Sequence, residues 1–309
     1  MEYFTRIDLD KRTTHAELIL QIQPIINATS YDKIDIQIYI GMVSGIVYPD
    51  QLLLVASIIL TASERGVNIV GSLVASPNCE GYVSRMDFFE HLKILAPENF
   101  VRRESKGHFL EITRFEDDDS ESLSLVDKIK YIFTRQKITD DSLLASIDLV
   151  ISELICNIRH SFVDHGWITA QYYKAFKRIR LMIADTGIGI HRGLTDNPKN
   201  LDYKLLTPEQ SIRMCIEKGV TNGTGGGRGL HIVHNLIKEN GGKLAIFSGN
   251  QQLQVTRDKL YTTTGSIWPG TCVFLEIQSN KTVDITKIND GSTDFYDLHM
   301  DNKDEDWFL

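Results

Sequence analysis

Five of the seven residues in the stretch 223–229 are glycine, and the run leads straight into the apolar, helically periodic stretch 230–240. A flexible linker would not end in the first turn of such a helix. Glycines leave backbone N–H groups open to a close neighbour, and a helix start adds a positive end, so the segment suits a phosphate chain. It is not a P-loop, because no Gly-Lys-Ser/Thr follows. It is also a weak dinucleotide fingerprint, because no continuous apolar strand leads into it.

Three further segments bear on the same chemistry. On a helix over 151–160, Glu153, Asn157 and His160 fall within about 60° of one another. Ile147, Ile151, Leu154 and Ile158 form a separate stripe that would pack on a sheet; taken alone, the polar face is equally an ordinary solvated one. The apolar strand 178–184 ends in Asp185-Thr186-Gly187-Ile188-Gly189-Ile190, where glycine lets the chain turn sharply beside a carboxylate. A tight Asp-x-Gly turn is the plain alternative. Finally, Pro269-Gly270-Thr271 enters the strand 272–277, which by itself is turn chemistry.

The order of the four carries more than any one. Glu-Leu-x-x-Asn (Glu153 to Asn157), Asp-x-Gly-x-Gly-Ile (Asp185 to Ile190), Gly-x-Gly-x-Gly-Leu (Gly225 to Leu230) and Gly-Thr before a strand together resemble the nucleotide motifs of the GHKL ATPases. These include gyrase, MutL, heat-shock chaperones and sensor histidine kinases. The resemblance spans about residues 123–277 and is closest to the histidine-kinase-like branch, which includes anti-sigma-factor kinases. It implies a Bergerat pocket for ATP and Mg2+. Asn157 would hold the magnesium and Glu153 would be the general base. Asp185 would accept from the adenine amino group, with Thr271 bracing the ring and Gly187, Gly189 and Ile190 giving it room. Gly225, Gly227 and Gly229 would wrap the phosphates, with Arg228 as an added charge and Gly226 and Leu230 as further nucleotide-binding residues of the same motif. Residues 191–223 correspond to the family's nucleotide lid. One departure stands out: where relatives often carry Lys or Arg, this chain has His160, which either touches phosphate or caps the helix.

With 309 residues the chain can hold two ordinary domains. The expected fold class is α+β. A C-terminal Bergerat two-layer α/β sandwich with a mixed sheet (123–279) follows a smaller α/β domain (1–115) and an acidic linker (116–122), and precedes an acidic tail (280–309). The first domain resembles, more weakly, the STAS fold of anti-sigma-factor antagonists: strand 34–40, a helix from Pro49, strand 67–70 and a short helix near 85–95. Its expected phosphorylatable serine is replaced by Pro49 or Asp50; Asp50 reads either as a phosphoserine mimic or as a helix N-terminal acid. A histidine-kinase phosphoacceptor helix pair is not recognisable, and His15, in a helix over 14–22, lacks the hairpin such a site needs.

A formal net charge of -8 argues against a general nucleic-acid binder. The N-terminus carries no signal-like apolar stretch and the longest apolar run, 52–60, is too short to span a bilayer. Four dispersed cysteines without Cys-x-x-Cys spacing read as free thiols in a reducing cytoplasm. Expected partners are ATP and a protein, with a homodimer among the states the sequence allows. ATP hydrolysis or phosphoryl transfer to a partner is the first functional expectation, and an ATP-gated interaction module without catalysis the second. A gyrase- or MutL-type DNA-strand ATPase is less favoured, because an acidic tail rather than a transducer follows Ile277.

Overall fold

The computed structural model describes residues 1–94, 107–116, 118–136, 138, 140–159, 161, 163–198, 200–223 and 227–289. The first half runs β1 (Glu2–Leu9), α1 (His15–Gln21), α2 (Gln23–Ile26), β2 (Lys33–Ile40), α3 (Pro49–Glu64), β3 (Asn68–Ala75), α4 (Pro77–Arg85) and α5 (Phe88–His91). Its three strands pair in the order β1-β2-β3, all parallel. The alternation in β2 sends Ile34, Ile36, Ile38 and Ile40 inward and the polar residues out, as period-2 patterning requires. Where a helix was expected near 85–95, α4 ends at Arg85 and the four-residue α5 follows after Asp87, which sits in a left-handed conformation; residue 95 lies outside the described residues.

The second half continues with β4 (Phe109–Glu116), α6 (Asp119–Arg135), α7 (Asp141–Arg159), β5 (His165–Tyr173), β6 (Arg178–Ala184), α8 (Gly189–Thr195), α9 (Pro208–Met214), α10 (Gly229–Asn240), β7 (Lys243–Thr256), β8 (Leu260–Gln278) and α11 (Ile285–Ile288). Its five strands pair in the order β4-β5-β6-β8-β7. The sheet was expected to be mixed; every described pairing in it is antiparallel, because β5–β6 and β7–β8 are hairpins and β8 returns against β6. The combination of helices with this antiparallel sheet is the α+β class.

Two details differ from the expected boundaries. β4 lies within the expected first domain but pairs with β5, so the second sheet begins before the acidic run. The run itself is not an open linker: Asp118 accepts the N–H of Glu121 at 3.0 Å and caps α6, while the Glu121 carboxylate accepts the N–H of Glu116 at 2.9 Å. Acidic side chains at a helix start satisfy orphan N–H groups and meet the positive end of the helix. Like charges that read as a solvated spacer here start a helix.

The five-stranded sheet is covered on both faces. On one, Ile179, Leu181, Ile183, Val273 and Leu275 pack with α6, α7 and α10. On the other, Met182, Ala184, Phe247, Cys272 and Phe274 join the core built from α1, α2 and α3. Strands buried on both sides have no polar face to show, which is why Leu181-Met182-Ile183-Ala184 and Cys272-Val273-Phe274-Leu275 are unbroken apolar runs. Between the halves, Asp50 at the start of α3 is 1 % exposed and pairs with Arg180 of β6 through two hydrogen bonds, 3.1 and 2.7 Å. His15 Nε2 meets the same carboxylate at 2.6 Å. The Arg180 guanidinium lies 3.9 Å from the centre of the Tyr48 ring. Asp50 is therefore the buried partner of an ion pair that joins the halves. No described helix is long and apolar enough to cross a membrane.

Candidate functional site

A cavity of about 350 Å³ opens between α7, the end of β6, α8, the start of α10 and β8. α7 presents Glu153 and Asn157 to it, one helical turn apart; Ile147, Ile151, Leu154 and Ile158 of the same helix are buried, and Leu154 and Ile158 also line the cavity. Gly229, at the start of α10, rests against this face: a methyl group added there would meet a Glu153 carboxylate oxygen at 3.0 Å and the Asn157 amide at 3.4 Å. Gly227, Arg228, Gly229 and Leu230 line the cavity together with Glu153. Burial pushes the Glu153 carboxyl upward, and the nearby Arg228 charge pulls it partly back.

Asp185 closes the end of β6. It is 4 % exposed and lines the cavity beside Ile183, Thr271 and Val273. Three hydrogen bonds fix it: its N–H donates to the Thr271 carbonyl at 2.8 Å, its Oδ1 accepts the Gly187 N–H at 2.8 Å, and its carbonyl accepts the Trp268 indole N–H at 2.9 Å. Burial raises its carboxyl to about 7, with the Gly187 N–H opposing the rise. Gly187, expected to give the ring room, does not line the cavity: a methyl group there would sit 2.0 Å from the Ser161 carbonyl oxygen, so its missing side chain admits that backbone instead. Gly189 and Ile190 open α8 and line the cavity. His160, Gly225 and Gly226 lie outside the described residues.

The remaining wall comes from the stretch 191–223. Thr207 caps α9 in a reciprocal box with Gln210, and Val220, Thr221 and Asn222 face the cavity. The Gly219 N–H donates to the Gly227 carbonyl at 2.9 Å, so this stretch is tied to the glycine-rich loop.

Three residues that shape the site, Ser248, Ser161 and Trp268, were not singled out from the sequence, and Gly270 was expected there only as part of the Gly-Thr turn. Ser248 of β7 accepts the Ile190 N–H at 2.8 Å and donates to the Gly270 carbonyl at 2.8 Å. Gly270 approaches so closely that a methyl group would lie 2.3 Å from Asp185 Oδ1. Ser161 accepts the Ile188 N–H at 3.0 Å, and Trp268 holds the Asp185 carbonyl. Only Pro269-Gly270, an unlikely pair inside an apolar strand, signals any of this in the sequence.

The family model described as histidine kinase-, DNA gyrase B-, and HSP90-like ATPase matches residues 144–281. The match supports the GHKL superfamily. It also supports ATP binding of the GHKL type in this part of the chain, and GHKL domains bind ATP generally with Mg2+. No curated protein and no solved structure matches the chain.

The residues present fit a GHKL nucleotide. A carboxylate with one oxygen already committed to Gly187, in an apolar wall of Ile183 and Val273, has the chemistry to accept from an N–H donor on a flat ring. Asn157 and Arg228 offer an amide oxygen and a positive charge to polyphosphate in the same cavity. No cluster of three or more His, Cys, Asp or Glu suited to a metal occurs among the described residues. A single amide ligand instead suits magnesium, which binds through few protein groups plus phosphate oxygens and water.

Proposed function

We propose that the chain is a regulatory protein that binds ATP with magnesium in this cavity and uses Glu153 to drive phosphoryl transfer, to water or to a partner protein. The supporting observation is Glu153 itself. A half-buried carboxylate with a raised pKa, one helical turn from Asn157, is suited to take a proton at neutral pH, and a pocket for binding alone has no need of one. Bound ATP and magnesium would supply an activated phosphoanhydride and its charge compensation. Asn157 would hold the ion, Asp185 would select the base, Gly227, Arg228 and Gly229 would steady the phosphates, and Glu153 would accept the proton of the attacking hydroxyl.

A purified-protein assay with γ-labelled ATP and candidate partners tests this. Label on protein supports a kinase and free labelled phosphate an ATPase. Neither product, with ATP bound, refutes catalysis and leaves the second reading.

That second reading is an ATP-gated interaction module. It is favoured by the packing of the N-terminal half, STAS-like in its sequence pattern, directly on the sheet that carries Asp185. Nucleotide bound on one face of the sheet would then be sensed on the other. A protein partner, a cytoplasmic setting and a homodimer belong to this proposal and are tested by co-purification with and without ATP.

A further inference from the structure

The nucleotide cavity and the N-terminal half share one indole. Trp268 is completely buried in the core formed by α1, α2 and α3, yet its N–H donates to the backbone carbonyl of Asp185, 83 positions away in sequence. It reaches that position through an irregularity. Along β7–β8, Ser248 pairs with Thr271 but its neighbour Gly249 pairs with Trp268, so Pro269 and Gly270 are extra residues on β8. Extra residues bend a strand and re-aim a side chain, and they provide a place where proline is tolerated. Here the bend turns Trp268 toward the end of β6 and presses Gly270 against Asp185.

The N-terminal half also grips the residue next to Trp268. The Gln23 amide of α2 donates to the Ile267 carbonyl at 2.7 Å and accepts the Ile267 N–H at 3.1 Å, a two-point clasp of one backbone unit. Gln23 donates in addition to the Ile19 carbonyl at 3.1 Å, which ties the clasp to α1. A continuous path of hydrogen bonds and packing thus runs from α1 and α2, through Ile267 and Trp268, to Asp185.

We infer that Trp268 is a positioning residue for adenine recognition, and that the N-terminal half sets base selectivity through the Gln23–Ile267 clasp. This rests on the ATP reading of the cavity. Trp268 lines no part of the cavity and touches the base only through Asp185. Its carbonyl bond fixes the backbone from which the Asp185 carboxylate projects, and a directional contact to a base edge is lost with small displacements.

The test is calorimetric titration of the full chain with ATP and with GTP, for wild type, Trp268→Phe, Gln23→Ala and the double variant. Trp268→Phe removes the N–H donor together with the five-membered ring of a fully buried side chain, so the ATP/GTP ratio rather than ATP affinity alone reads the lost bond. The variant is expected to weaken ATP about tenfold, the usual scale for an unmet buried hydrogen bond, while GTP changes far less, so that the ATP/GTP ratio falls. Gln23→Ala should lower the same ratio by about threefold. The double variant should be no worse than Trp268→Phe, because both act along one path. A purely structural role would weaken both nucleotides equally.

An unchanged ratio in Trp268→Phe, or fully additive effects in the double variant, overturns the inference while leaving the ATP site intact. Wild-type protein that binds no ATP overturns the site reading itself and the inference with it. If Trp268→Phe does not fold, Gln23→Ala decides: it removes only a partly exposed side chain, and an unchanged ratio there refutes the coupling.

Discussion

Asp185 should make ATP binding depend on pH near neutrality. Its carboxyl is raised to about 7 because burial penalises the charged form more than the Gly187 N–H rewards it. The adenine amino group donates, so it prefers the ionised carboxylate. Affinity is then full above pH 7 and lost as the pH falls through it. With one proton to remove, the apparent Kd should rise by about elevenfold at pH 6 and about a hundredfold at pH 5, relative to its value above pH 8. Binding should release close to one proton at pH 6 and close to none at pH 8.5, which calorimetry in buffers of different ionisation enthalpy measures directly. Asp185→Asn is the control, since it cannot titrate and leaves only the ionisations the two proteins share, those of the nucleotide phosphates and of Glu153. It should bind ATP at least tenfold more weakly at pH 8, because its amide cannot replace a charged acceptor.

The same group affects stability with the opposite sense. A carboxyl whose folded pKa exceeds its unfolded value stabilises the fold below the unfolded pKa, and that stability is lost as pH rises toward 7. From 3.8 to about 7 the loss is at most about 4 kcal/mol, so Asp185→Asn without nucleotide should melt higher than wild type at pH 8. Equal pH slopes for ATP binding in wild type and Asp185→Asn would refute the assignment of Asp185 as the adenine acceptor.

Three further outcomes are expected. Glu153→Ala should cut turnover by about 10²-fold or more, with nucleotide Kd changed less than about threefold; steady-state phosphate release and calorimetry separate the two. Gly187→Ala drives a methyl group into the Ser161 carbonyl at 2.0 Å and should cost about 1–3 kcal/mol in urea unfolding, whereas Gly265→Ala, where an added methyl meets nothing within 4 Å, should change stability by less than about 0.5 kcal/mol. Asp50→Ala leaves the partly buried Arg180 guanidinium without its carboxylate and should cost about 3 kcal/mol; in wild type, burial opposes ionisation of Asp50 but Arg180 and His15 outweigh it and hold the carboxyl below its usual range, so the pair's contribution is lost only in strong acid, as an acid-unfolding curve would show.

Much of the site is legible in the chain because its parts are local. Asn157 and Glu153 share a helix face by spacing alone, Asp185 ends a strand that glycine must follow, and the glycine run opens a helix. Each is a short-range rule, and the structure brings them to one cavity. What the sequence hides is long-range. Nothing near residue 268 announces a bond to residue 185, and β1 alternates too briefly, with Arg6 and Asp8 outward, to stand out. The β7–β8 hairpin runs well past the expected strand 272–277, because its Gln- and Thr-rich extension lacks the apolar run that marked it. Asp50 shows the limit most clearly: a helix-start acid and a buried ion-pair partner are the same residue in sequence, and only Arg180, 130 positions on, tells them apart.

The unbroken apolar runs in β6 and β8 did carry a message about architecture. A strand with a solvated face alternates; these do not, so something had to cover the second face of the sheet. In this chain the N-terminal helices do so, and strand geometry then makes β6 a shared wall. Its odd positions, Ile179, Leu181 and Ile183, lead to Asp185 and the cavity, while Arg180, Met182 and Ala184 hold the N-terminal half. A buried carboxylate kept near half-ionisation is a cost to the fold, of the kind that sites impose and the surrounding structure must offset. Covering the far face of that strand, and pinning its end through Trp268, supplies rigidity where the cost falls. Separating the two halves would therefore loosen Asp185 before it melted the sheet, and the ATP/GTP ratio would fall at denaturant concentrations where the helices of the second half were still intact.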